Sequence, residues 1–88
     1  MASYKVIVKP SVEKDLRSLP QSIVQRVLKR VEALKDDPLP HRSIKLTGGE
    51  ELYRIRVGDY RLVYSVDMRA RQVLVQYVRH RRDVYRKL

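Results

Sequence analysis

The chain has 88 residues, with 20 lysines and arginines against 10 aspartates and glutamates, a net charge of +10. That length points to a single domain, residues 1–88, with one modest core, and the 43% hydrophobic content suits a globular fold. The absence of cysteine excludes disulfides and thiolate metal sites. No apolar run approaches the roughly 20 residues of a membrane span, and Met1-Ala2-Ser3-Tyr4-Lys5 carries no hydrophobic signal segment. A cytoplasmic protein with no membrane association is therefore expected.

From the N-terminus, Tyr4 to Lys9 is short, β-branched and alternating, which predicts a strand ended by Pro10. Ser11 is expected to cap a short helix with Val12, Leu16 and Leu19 on one side. Pro20 suits the first turn of a second helix, where Ile23, Val27, Val31 and Leu34 recur at the helical period with Val24 and Leu28 beside them. Asp36-Asp37-Pro38 stops that helix, and His41 follows in a surface loop. Ile44-Lys45-Leu46 is a short strand candidate before a Gly48-Gly49 turn. Leu52 to Val57, Tyr60 to Val66 and Val73 to Val78 alternate as strands, and Arg79 to Lys87 forms a basic tail or short helix. The fold class is α+β: an N-terminal strand and a helical hairpin packed on a mainly antiparallel twisted sheet.

Charge is unevenly spread. Residues 1–51 hold ten basic and seven acidic side chains, whereas residues 52–88 hold ten basic against only Asp59, Asp67 and Asp83. A half-chain at +7 points to a polyanionic partner, nucleic acid above all. Gly58-Asp59 is a two-residue hairpin signal of type II′. Its register pairs Val57 with Tyr60, Arg56 with Arg61, Ile55 with Leu62 and Arg54 with Val63. Alternation then collects Arg54, Arg56 and Arg61 on one face and Tyr53, Ile55, Val57, Tyr60, Leu62 and Tyr64 on the other, the core face. Tyr77 is also expected in the core. Like charges directly opposite in a sheet cost up to about 1 kcal/mol. A phosphate held between arginine forks removes that conflict.

At this hairpin the sequence resembles the RelE/ParE superfamily of toxins from toxin–antitoxin pairs. The likeness spans Asp15-Leu16-Arg17-Ser18-Leu19-Pro20, Lys45-Leu46-Thr47-Gly48, the stretch from Leu52 to Val66, and His80-Arg81-Arg82-Asp83-Val84-Tyr85. The resemblance implies a metal-free, cofactor-free endoribonuclease of the RelE type that cleaves messenger RNA on the ribosome and inhibits translation. It implies a RelB-like antitoxin as partner, with operator DNA contacted only through the toxin–antitoxin complex. The site residues it implies are Arg54, Arg56, Arg61, a C-terminal arginine and Tyr85, on which a base stacks. The C-terminal arginine is Arg81 if the strand end is kept in register and Arg79 if counted back from the tyrosine; Arg81 is preferred. His80 is a secondary acid or base candidate, because imidazole is the side chain suited to proton transfer near neutral pH.

The best-known members carry lysines where this chain has Arg54 and Arg56. Guanidinium stays protonated, so the substitution suits phosphate binding and leaves the proton acceptor unassigned. Two alternatives accompany this reading: a ParE-type toxin acting on DNA gyrase, and a non-catalytic RNA-binding module. The three-arginine face together with Tyr85 favours the nuclease, since the ParE branch generally lacks that set.

Overall fold

The computed structural model describes residues 3–40, 43–45 and 52–80. Its elements are β1 (Lys5–Val8), α1 (Pro10–Arg17), α2 (Gln21–Ala33), β2 (Ile44–Lys45), β3 (Leu52–Val57), β4 (Tyr60–Asp67) and β5 (Gln72–His80). The sheet order is β1-β5-β4-β3-β2. All pairs are antiparallel except β1 with β5. A parallel pair needs a long crossover rather than a tight turn, and the helical hairpin begins that crossover. The expected α+β architecture is the one that forms.

Both helices start at prolines. Ser11, expected as the cap, is the second helical residue; α1 begins at Pro10, with Lys9 in extended conformation at the N-cap. Proline has its φ fixed near the helical value and lacks an N–H, so the first helical position costs it nothing. Pro20 takes the N-cap position of α2. Val27 and Leu34 of that helix side are fully buried, and Ile23 and Val31 pack partly buried against the same core. Leu28, expected beside them, is 52% exposed. One residue on from Val27 it is rotated about 100° around the helix, past the edge of the buried row.

The core lies between the helices and one face of the sheet. Val12, Val27 and Leu34 meet Ile55, Val57, Leu62, Tyr64, Val66, Val73, Val75 and Val78 there. The side-chain parity of β5 changes partway along. Val63 pairs with Tyr77 but Tyr64 pairs with Val75, so Gln76 is the extra residue of a β-bulge. Val78 therefore returns to the core, while Tyr77 goes to the face away from the helices, not into the core as expected. The strand also continues through His80, so Arg79 and His80 belong to β5 rather than to a tail. His41, Leu46, the Gly48-Gly49 turn and the remainder of the basic cluster lie outside the described residues.

Tyr64 ties the sheet to the end of the helical hairpin. Its ring is fully buried and stacks with Tyr53 at 6.0 Å between centroids, and its hydroxyl donates to the Pro38 carbonyl at 2.9 Å. Burial pushes this phenol up from 10.0 to about 12; a hydrogen bond with Ser43 opposes the shift and the Asp37 charge adds to it. An unfolded chain releases the proton near its ordinary value, whereas the folded chain holds it higher. The stabilisation is thus complete below about pH 10 and is lost as pH rises towards about 12. Urea unfolding of wild type and Tyr64→Phe across this interval tests the point. Wild-type stability should fall more steeply than that of the variant, and parallel slopes would contradict the assignment.

Candidate functional site

The site grows out of the β3–β4 hairpin. Gly58 has φ of 60°, and Asp59 is not among the positive-φ residues, which is the type II′ pattern. A Cβ on Gly58 would lie 3.3 Å from Ile23 Cδ1 and 3.4 Å from Arg26 Nη1, so the turn is tucked against α2. The ladder has the register that a two-residue loop dictates: Arg56 opposite Arg61, Arg54 opposite Val63, Ile55 opposite Leu62, Val57 opposite Tyr60.

The three expected arginines are brought together. With Ile44, which lies opposite Arg54 on β2, they line a cleft of about 170 Å³ on the outer face of the sheet. Arg61 is only 8% exposed, Arg54 is half-buried and Arg56 is exposed. Two backbone carbonyls steady the guanidinium groups. Arg56 Nε donates to the Gly58 carbonyl at 3.1 Å, and Arg61 Nη1 donates to the Tyr60 carbonyl at 3.3 Å. The one ion pair among the described residues is Lys35–Glu32 at 3.1 Å, so Arg56 and Arg61 have no carboxylate partner there. A buried guanidinium with no carboxylate partner among the described residues, facing a second arginine, favours an anion in the cleft.

β5 adds a residue that hairpin register alone does not place. Arg79 lies opposite Arg61, giving the cross-strand row Arg56–Arg61–Arg79 over three strands. Its guanidinium, however, lies over the Tyr77 ring, 4.9 Å from the centroid. His80 falls on the other face. It pairs with Tyr60 and meets that ring edge-on at 5.5 Å, so the structure does not bring it to the arginines. The expectations for Arg81 and Tyr85 lie outside the described residues. The placement of Arg79 and Tyr77 was signalled only by the broken alternation of Val73, Val75 and Val78.

A second basic hollow, of about 340 Å³, is lined by Arg26, Lys29, Arg30 and Ala33 on α2. Its charges come from successive turns of one helix, where long side chains splay freely into solvent. The sheet cleft differs in that two paired strands, β3 and β4, fix its three arginines relative to one another. Among the described residues no group of three histidine or acidic side chains is placed to hold a metal ion. No helix among them is long and apolar enough to cross a membrane.

Residues 6–85 match the family model described as ParE toxin of type II toxin–antitoxin system, parDE. This chain belongs to the RelE/ParE toxin family. The toxin is similar to toxin RelE3 of Methanocaldococcus jannaschii, at 31% identity over 87 residues that cover 92% of this chain and 94% of the relative. Among solved structures it is similar to the archaeal RelE–RelB complex from Pyrococcus horikoshii, at 32% identity and a TM-score of 0.77 over 90% of this chain and 96% of that one. It is likewise similar to the toxin–antitoxin complex RelBE2 from Mycobacterium tuberculosis, at 28% identity and a TM-score of 0.77, covering 89% and 98%. The protein is a RelE-like toxin of a toxin–antitoxin system.

The cleft makes a direct prediction about anions. Inorganic phosphate should raise the Tm of the toxin with the logarithm of its concentration above Kd, by the linkage that stabilises any folded state binding a ligand, about 2.7 kcal/mol at a hundredfold excess over Kd. Arg56→Gln should abolish this logarithmic rise. At low salt without phosphate it should be as stable as wild type or more so, by up to about 1 kcal/mol, because a like-charge pair is relieved. An identical phosphate response in the variant, measured by thermal denaturation, would contradict an anion site between these strands.

Proposed function

We propose that the toxin is a ribosome-dependent, metal-independent endoribonuclease that cuts messenger RNA and thereby inhibits translation. The observation that carries this reading is the cleft formed by Arg54, Arg56 and Arg61 on the sheet face turned away from the helices. In the reaction, a ribose 2′-OH attacks the adjacent phosphorus and loses its proton. The bond from phosphorus to the 5′ oxygen breaks, and that oxygen takes up a proton. The products are a 2′,3′-cyclic phosphate and a 5′-OH.

The transition state carries extra negative charge on the phosphorane oxygens. Fixed guanidinium groups in a partly dry cleft stabilise that charge without having to reorganise. Arg61, buried and central in the row, is suited to the most strongly charged oxygen. Arg54 and Arg56 bind the same group from β3. Arg81 contacts the phosphate near the leaving oxygen, and Tyr85 stacks on a base. A guanidinium at this position acts by charge rather than as a base, and water or a group supplied by the ribosome accepts the 2′-OH proton.

The partner is an antitoxin of the RelB kind, in keeping with the RelE–RelB complexes among the toxin's structural relatives. A flexible acidic or amphipathic segment that covers the arginine face would neutralise it and block RNA entry. DNA contact at the operator belongs to that complex rather than to the free toxin.

A second reading, inhibition of DNA gyrase, is favoured by the ParE description of the matching family model. The two are separable in a translating extract. Cleaved messages with cyclic-phosphate and 5′-OH ends support the nuclease, and loss of supercoiling without cleavage supports the other. Arg61→Ala and Arg81→Ala should each lower cleavage by about 10²–10³-fold, the usual cost of one preorganised charge-stabilising group, and relieve growth arrest on expression. Full toxicity in both variants would overturn the site.

A further inference from the structure

The anion cleft does not account for Tyr77 and Arg79. Arg79 stands directly opposite Arg61, yet it is not among the residues lining the cleft. It lies instead over the ring of Tyr77. Both side chains reach this face only because Gln76 is bulged out of the ladder; unbroken alternation would turn them towards the helices. Bulges are enriched beside functional sites because they re-aim side chains in this way. Tyr77 and Arg79 are both half-buried, so each keeps an accessible surface. Tyr77 pairs with Val63, which is fully buried and pairs in turn with Arg54. The ring therefore stands two strand spacings, roughly 10 Å, from Arg54 and diagonally beside Arg61.

A flat aromatic ring under a planar cation, next to a phosphate-sized cleft, matches the two halves of a nucleotide. Aromatic and guanidinium planes bind bases by stacking, whereas arginine forks bind phosphate. We propose that Tyr77 and Arg79 form a nucleobase-stacking subsite on β5, occupied by a base whose neighbouring phosphate lies in the Arg54–Arg56–Arg61 cleft. The inference rests on the RNA reading above and adds a positioning element to it. Stacking tolerates every base but favours the larger faces of purines, so the subsite biases the choice of nucleotide next to the bound phosphate. Arg79 thereby serves the base, while Arg61 serves the phosphate.

The test uses the intact toxin and two fluorescently labelled strands, a 2′-O-methyl RNA that cannot undergo 2′-OH attack and an abasic strand of the same length and backbone. Wild type should bind the base-containing strand more tightly by at least about 5-fold, the lower end of the stacking effect of one base. Tyr77→Val should reduce that preference by about 5-fold or more without weakening the abasic strand. Tyr77→Phe, which keeps the ring, should restore it. If wild type shows no preference, or Tyr77→Val leaves the preference unchanged, the subsite is overturned. Arg61→Gln separates the two claims. If it weakens both strands while Tyr77→Val is silent, the subsite fails and the phosphate cleft stands. If Arg61→Gln changes neither strand, both fail.

Discussion

The ladder register set by the two-residue Gly58-Asp59 turn is the constraint on which the molecule depends. A positive φ at Gly58 gives a hairpin twist that matches the twist of β3 and β4, and the absence of a side chain lets Ile23 and Arg26 approach closely. With that loop length no other pairing is available. Ile55, Val57 and Leu62 must face the helices, and Arg54, Arg56 and Arg61 must face away. A slip of one residue on either strand would exchange the two sets, burying guanidinium groups under α2 and exposing the core. Folding and charge placement are thus the same event.

That coupling explains how the chain tolerates a row of arginines. Arg56, Arg61 and Arg79 stand in line across three strands, an arrangement that sheet energetics disfavours. The opposing gain is the burial of Val27, Leu34, Leu62, Tyr64 and the valines of β5 on the reverse face. Each large apolar side chain fully buried contributes about 1.5–3 kcal/mol, several times the cost of one like-charge pair. The arginines are held by a core that lies on the opposite face of the sheet, and an anion between them would relieve the conflict among them. Arg79 relieves part of it beforehand by resting on Tyr77.

Much of this was legible in the sequence, for reasons that differ by element. The β3–β4 register could be read residue by residue because a two-residue turn leaves no freedom. The helical row of Ile23, Val27, Val31 and Leu34 was legible because it repeats. Leu28 was misread because it neighbours that row in sequence yet lies past its edge in space. Ser11 was misplaced because proline's preference for the first helical position outweighs a serine cap. Tyr77 was misassigned because one bulged residue reverses the parity of all that follows, and the skip from Val75 to Val78 was its only trace. The role of an antitoxin was carried by family resemblance and by the relatives, not by physical chemistry of this chain.

On the proposed function, the outer face of β3 and β4, rather than the basic surface of α2, holds the RNA phosphate. Side-chain NMR of the arginine Nε–Hε groups during titration with a 2′-O-methyl RNA tests it most directly. Arg54, Arg56 and Arg61 should shift together and saturate at one affinity, with Arg26 and Arg30 unmoved. Saturating shifts at Arg26 and Arg30, with the three sheet arginines unchanged, would contradict it.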